Sequence, residues 1–392
     1  MNFKGDNSSE MVLTIQDWRQ ALRTPHSYRV GNRTLRIQTK FMSIIILSGL
    51  LILLIIYIFP ENNEIVSDYQ FHKKKFYNKS YPLSAPIISP QIRTFRIGII
   101  ADLDTNSKCL KETWCSNFRK GFLSYSNIDS SVVISWDKGE DIMLKSNFAS
   151  KGRGMELSEL VVFNGRLLTF DDRSGIVYEI INDKAIPWII LVDGDGSTSK
   201  GFKSEWATVK DEILYVGSMG KEWTTAGGDF ENHNPQYVKL VSPSGEVNHV
   251  NWVEQYKAVR GIMDITYPGY MIHESGVWSD IHSKWFFLPR RCSKNRYNET
   301  IDETMGCNVL ITADANFSKI EMVKIGELQP THGFSTFKFI PTTDDTAIVA
   351  LKTEEYLGQT ATYILAFTID GKQLLPETRV SSHLKFEGIE FI

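Results

Sequence analysis

Five stretches of the chain open on a Ser or a Glu and then run as a β-hairpin. They are Ser158 (SELVVFNGRLLTFDD), Glu205 (EWATVKDEILYVGS), Glu274 (ESGVWSDIHSKWFFLPR), Ser335 (STFKFIPTTDDTAIVALK) and Glu387 (EGIEFI). A unit that recurs at fixed phase cannot bury its apolar face alone, so it packs against copies of itself in a ring or a stack. If the five units are blades of a propeller, their opening residues converge on its axis. Three carboxylates and two hydroxyls meeting at one point match a Ca²⁺ site, which takes about 6–8 hard oxygen ligands in flexible geometry. Ser158, Glu205, Glu274, Ser335 and Glu387 are therefore the candidate metal ligands.

The rest of the chain beyond Phe95 agrees with an all-β fold. FRIGIIAD, SVVISWD, RLLTF, PWIILV, ILYVGS, KWFFLP, NVLITAD and TYILAFTI are short apolar runs bounded by Gly, Asn, Asp or Pro. Asn164-Gly165 marks a tight hairpin turn. Residues 95–392 divided among five repeats give about 60 residues each, against about 40–45 in a WD40-type blade, so the surplus is loop. The last repeat holds only EGIEFI. Its second strand has to come from FRIGIIADLD, which zips the two ends of the domain into one sheet and removes an exposed edge.

Residues 41–60 (FMSIIILSGLLILLIIYIFP) carry no charge and match the length of a membrane-crossing helix. Forty residues precede this run, and no small-residue cleavage site follows it, so it reads as an anchor and not as a signal peptide. Lys4, Arg19, Arg23, Arg29, Arg33, Arg36 and Lys40 lie before it, and Glu61, Glu64 and Asp68 after it. The positive-inside rule then gives a cytosolic tail (1–40), an anchor (41–60), a luminal stem (61–94) rich in Pro and Ser, and a luminal propeller (95–392). Asn78, Asn298 and Asn316 open luminal glycosylation triplets; Asn7 and Asn32 open cytosolic ones, expected to stay bare. Cys109, Cys115, Cys292 and Cys307 are all luminal, so disulfides are expected. Of three connectivities, 109–115 with 292–307 is favoured because both would staple loops. Net charge is −3, and no basic footprint argues for nucleic acid.

In a four-stranded up-and-down blade, the start of the first strand and the end of the second share a face. The Ser/Glu ring should thus meet Asp102 and Asp104, Asp171-Asp172-Arg173, Lys221-Glu222-Trp223, Arg290-Arg291, Lys352, the Asp193-Gly-Asp195-Gly196 loop and the His233 loop. Acids around a metal, edged by Arg and Lys, suit metal-bound phosphate. Asp102 or Asp104 would orient or deprotonate a water, with Asp172 beside them. Arg290 and Arg291 would take phosphate through their planar forks. Lys221, Glu222, Trp223, Arg173 and Asp193 are candidate substrate contacts, Trp223 as a stacking ring. Each has a bland alternative: strand-end acids are often solvated, Trp is often core, and a central calcium can be a brace. GxxxxGK[ST], HExxH and GxSxG are absent, and no histidine cluster favours zinc.

Over residues 76–392 the chain resembles the calcium-activated nucleotidases, the Ca²⁺-dependent apyrases. YPLSAP, ADLDT, SKGRGMELS, DDRSG, DGDG, GFKSEW, GKEWTT, YPGYMIHES, KWFFLPRR, THGFSTFKFIP, LLPET and EGIEFI carry the resemblance, in order. It implies a five-bladed propeller with a central Ca²⁺ held at the five repeat positions. It also implies hydrolysis of nucleoside di- and triphosphates, often with UDP or GDP preferred. The anchored topology is similar to the vertebrate form of the endoplasmic reticulum and Golgi. A released ATP/ADP-scavenging enzyme and a non-catalytic, calcium-braced propeller are the competing expectations. A homodimer is compatible with all three.

Overall fold

The computed structural model describes residues 26–30, 33–37, 39–58 and 77–392, with side chains for 43–54 and 77–392. The molecule divides into two units, Met1–Tyr69 and Gln70–Ile392. In the first, His26–Val30 pairs antiparallel with Arg33–Ile37 where the sequence suggests only a polar tail. The helix α1 (Thr39–Ile58) follows. Among the described residues no helix is long and apolar enough to cross a membrane. Most of the expected tail and stem, with Asn7 and Asn32, lies outside the described residues.

The second unit is all-β and propeller-like. Ten strands position its centre: β1 (Ile92–Asp102), β2 (Leu157–Phe163), β3 (Arg166–Asp171), β4 (Trp206–Lys210), β5 (Ile213–Gly217), β6 (Tyr270–Ser279), β7 (Lys284–Ser293), β8 (His332–Phe339), β9 (Ala347–Tyr356) and β10 (Lys385–Phe391). The hairpins β2–β3, β4–β5, β6–β7 and β8–β9 each open a four-stranded antiparallel sheet. The fifth sheet has seven strands and begins with β10 paired to β1, from Lys385 opposite Asp102 to Phe391 opposite Ile97. The two ends of the unit thus complete one sheet, with β10 as its inner edge strand and β1 beside it.

The opening strands pack side by side: β2 against β4, β4 against β6, β6 against β8, β8 against β10, and β10 against β2. Each junction has its own apolar filling. Leu168 and Phe170 meet Leu214 and Val216; Trp206 and Val238 meet Trp285 and Phe287; Phe286 and Leu288 meet Phe337 and Ile348; Val349 and Leu351 meet Ile97 and Phe386; Ile100 and Phe118 meet Leu157 and Leu160. These strands are largely buried on both faces, so the polar residues they carry are paired inside, as Glu159 is with Thr336 and Lys338.

Residues 77–86, expected to be stem, lie on the sheets. The Tyr81 hydroxyl donates to Glu390 Oε1 (2.9 Å), Ser84 Oγ to the Ile392 carbonyl (2.5 Å), and the Tyr77 ring packs on Phe163. Cys109–Cys115 and Cys292–Cys307 are both disulfides, the two local pairs.

Candidate functional site

Backbone register explains how the five repeat residues reach one place. In β2–β3, Ser158 and Glu159 together oppose Phe170. In β6–β7, Glu274 and Ser275 oppose Leu288. Ser335 is the extra residue in β8, and Glu387 the extra residue in β10. A bulge adds one residue, sharpens the local twist and re-aims a side chain. Glu205 needs no bulge: it stands just ahead of β4, its N–H donating to the Gly217 carbonyl (2.8 Å). Gly388 makes the last bulge possible. A Cβ there would lie 2.6 Å from the Leu160 nitrogen, so β10 and β2 meet backbone to backbone.

Three of these residues, Glu205, Glu274 and Glu387, line a cavity of ≈ 210 Å³. Asp102, Asp104, Asp172, Arg173, Lys203, Glu205, Ile272, Glu274, Arg290, Asp302, Glu355, Lys385 and Glu387 line it. Ser158 and Ser335 are buried and do not line it; their hydroxyls donate to the Ser204 (2.5 Å) and Phe386 (3.5 Å) carbonyls, each of which directly precedes a lining glutamate. A second ring, two residues ahead of the first, escaped the sequence reading: Glu156, Lys203, Ile272, Gly333 and Lys385. Residues two apart on a strand share a face, so the pairs Lys203/Glu205 and Lys385/Glu387 carried a readable signal. Gly333 belongs to the ring by default of a side chain: a Cβ there would lie 2.4 Å from Arg290 Cγ.

Three cations knit the acids together. Arg290, itself a bulge residue opposite β6, pairs with Glu274, with Glu355 and with Glu387 (3.2 Å). Lys203 pairs with Glu205 and with Asp172 (2.5 Å). Lys385 lies 2.9 Å from both Asp102 and Asp104, and 3.6 Å from Glu387. Burial pushes Asp102 up to about 7 against the pull of Lys385. Burial, with Glu274 and Asp172, pushes Glu205 up to about 8 despite Lys203. Burial raises Glu387 well above its usual range as well. On Asp172 burial acts the same way, but Lys203 and Arg173 outweigh it and hold that carboxyl low.

Not every expected contact reaches the cavity wall. Glu222 is taken by Arg260 in a buried two-pronged pair (2.9 and 2.9 Å). Lys221 donates to the Glu222 carbonyl and to Thr224, and burial lowers it to about 8. Asp193 binds Asn234 and Lys200, and Lys200 in turn covers the Trp223 ring at 4.0 Å. Arg291 donates to the Thr331 carbonyl, and Lys352 is bound by Asn308 and Glu377. Asp171 ties its own turn through Ser174, Arg173 and Met155.

The donor set suits a hard divalent ion. Eight carboxylates line the cavity against four cations, and no His or Cys is among them. Asp172 Oδ1 is buried without a hydrogen-bond partner. Oxygens of Asp102, Glu156 and Asp172 lie within 4.8 Å of one another, a cluster able to hold a metal. A buried carboxylate oxygen without a hydrogen bond is costly; Arg173 Nε at 3.8 Å is too far to donate one, and a bound cation would satisfy it.

Comparison with known proteins agrees with this chemistry. The apyrase family model matches residues 103–392. The chain is 55% identical over 317 residues to the soluble calcium-activated nucleotidase 1 of Rattus norvegicus, covering 81% of this chain and 78% of that protein. It is 45% identical over 369 residues to an apyrase of Cimex lectularius, covering 93% and 99%. The cavity thus belongs to a nucleotide-hydrolysing enzyme, and the chain is a member of the calcium-activated nucleotidase, or apyrase, family.

Proposed function

We propose that this enzyme hydrolyses nucleoside di- and triphosphates with Ca²⁺ as its required ion, UDP and GDP being preferred. The observation that carries the reading is the charge of the cavity. Eight carboxylates against four cations repel a polyphosphate unless a divalent ion enters with it. Glu205, Glu274 and Glu387, with Ser158 and Ser335, would hold that ion on the axis, and the cavity's oxygen-only lining favours Ca²⁺ over zinc. Bound there, Ca²⁺ would neutralise phosphate oxygens and fix the substrate. Arg290, Lys203 and Arg173 supply the remaining positive charge around the phosphates. Asp104 would be the carboxylate that meets water: its side chain is 42% exposed, and Glu355, at 37%, is held by Arg290. Asp102 positions it, accepting from the Asp104 N–H (2.7 Å) and sharing Lys385 with it. The names of the calcium-activated relatives support the choice of ion.

The closed cycle of opening strands and the five junction clusters support reading the fold as a five-bladed propeller. The uncharged run at 41–60 and the basic residues ahead of it are the sequence support for a type II anchor of the endoplasmic reticulum or Golgi, with the enzyme domain luminal. In that compartment UDP and GDP are the diphosphates left by sugar transfer. The test is phosphate release from UDP, GDP, ADP, UTP and ATP in Ca²⁺, in Mg²⁺ and in chelator. Release confined to Ca²⁺ and fastest with UDP or GDP is expected; equal release in chelator overturns the reading. Asn78, Asn298 and Asn316 are exposed, so a luminal domain should lose mass on treatment with an N-glycosidase.

A further inference from the structure

A cavity of ≈ 210 Å³ falls below the roughly 300–1,000 Å³ of pockets that enclose a whole ligand. It has room for phosphates and an ion, so the nucleoside lies outside it. On one side the wall continues as an aromatic shelf. Ile272 lines the cavity, and Trp223 and Tyr297 pack on the cluster it forms with Met219 and Tyr270. Tyr270 and Tyr297 meet edge to face at 5.3 Å, and Lys221 stands 4.2 Å over the Tyr297 ring.

Asp302 stands where shelf and cavity join. It lines the cavity, accepts from the Tyr270 hydroxyl at Oδ1 (2.5 Å), and presents Oδ2 3.9 Å from Arg291 Nε. Tyr297 and Asp302 both lie in the loop closed by Cys292–Cys307. Its turn is fixed again by a short helix, α3 (Glu299–Asp302), capped by the Asn298 side chain. A further helix among the described residues, α2 (Val253–Gly261), holds Arg260 and through it Glu222, the residue between Lys221 and Trp223.

We propose that this disulfide-closed loop reads the nucleoside, Asp302 accepting hydrogen bonds from the ribose hydroxyls and Tyr297 packing on the base. The inference rests on the nucleotidase reading of the cavity. A carboxylate suits a pair of hydroxyl donors, and base–aromatic contact tolerates different bases, which suits an enzyme of several nucleotides. The disulfide limits how far the loop can swing from the cavity and so holds ring and carboxylate at one distance from the phosphates.

The test uses UDP, 2′,3′-dideoxy-UDP and tripolyphosphate, the last read as substrate or competitor. Wild type should favour UDP over the dideoxy compound, and Asp302→Asn should erase that preference. Tyr297→Ala should raise the ratio of UDP KM to tripolyphosphate affinity constant about tenfold, with Tyr297→Phe restoring it. Replacing both Cys292 and Cys307 by Ala should raise the same ratio. The proposal is overturned if wild type treats UDP and its dideoxy form alike, or if the variants weaken UDP and tripolyphosphate in parallel. Failure of the calcium reading shows elsewhere, as phosphate release that persists in chelator.

Discussion

At the scale of single residues, charge and burial decide which side chains can act. Glu205 is buried, faces Glu274 and Asp172, and leans on Lys203. Glu205→Gln keeps its shape but removes one charge from the expected ion site. Ca²⁺-dependent turnover should fall at least about tenfold, with a weaker apparent affinity for Ca²⁺. A titration of activity against free Ca²⁺ checks both. Glu222 has a different fate, since its carboxylate is spent on Arg260. Burial alone would raise Glu222, but the Arg260 fork outweighs it and the carboxyl lies below its usual range. A depressed carboxyl stabilises the fold above its unfolded value near 4.5, and that stability is lost as the pH falls through the folded value. Glu222→Gln should therefore cost about 3 kcal/mol at neutral pH. The gap in melting temperature from wild type should narrow from pH 6 toward pH 3. These two glutamates look alike in sequence, each next to a Trp in Glu205-Trp206 and Glu222-Trp223. Only the position of Arg260, 38 residues from Glu222, separates them.

At the scale of elements, the recurring device is a bulge in a hairpin. Ser158, Glu274, Ser335 and Glu387 each sit at a register slip. Strand alternation alone would send neighbouring side chains to opposite faces, so the slip sets where each donor points. The strands, the hairpin turn at Asn164-Gly165 and the pairing of EGIEFI with FRIGIIAD were legible in the sequence, because apolar runs and turn residues are local signals. The slips were not, because a bulge is a relation between two strands. Gly388 tests the last of them. Gly388→Ala puts a Cβ 2.6 Å from the Leu160 nitrogen and should destabilise the domain by about 1–3 kcal/mol. Its melting temperature and Ca²⁺-dependent activity should fall together. Deleting residues 387–392 should be harsher, since it removes Glu387 together with the fully buried Ile389 and Phe391 and uncovers the apolar neighbours they pack on, such as Phe95 and Ile97. A truncated domain that is secreted, melts like wild type and hydrolyses UDP would contradict the closure of the fifth sheet as a requirement.

At the scale of the molecule, five sheets hold one cavity in which eight carboxylates are drawn together. That crowding costs stability unless a cation shares it. Ca²⁺ should therefore stabilise the fold by mass action, by about 2.7 kcal/mol at a concentration 100-fold above its dissociation constant, and so raise the melting temperature. Chelator should reverse the rise, and the same titration on Glu387→Gln should show a smaller one. Mg²⁺ should do less, because it prefers six near-ideal positions and keeps its waters. Thermal melts with and without each ion, on the intact protein, measure this without any assay of catalysis.

The two local disulfides were only favoured in the sequence, among three pairings, whereas the sequence by itself determined the all-β class, the way the chain's ends meet, and Glu205, Glu274 and Glu387 as repeat residues that meet at one cavity. Those follow from apolar periodicity, turn residues and a repeat at fixed phase, all written along the chain. Tertiary structure alone decided which charges meet. It brought Arg290 to Glu274, Glu355 and Glu387, Lys385 to Asp102 and Asp104, and Asp302 from the stapled loop to the cavity. It drew Lys352, Arg291 and Glu222 away to other partners. The reason is physical: a charged side chain takes the opposite charge that the fold leaves within reach after burial, and that reach is set by strands far apart in the chain.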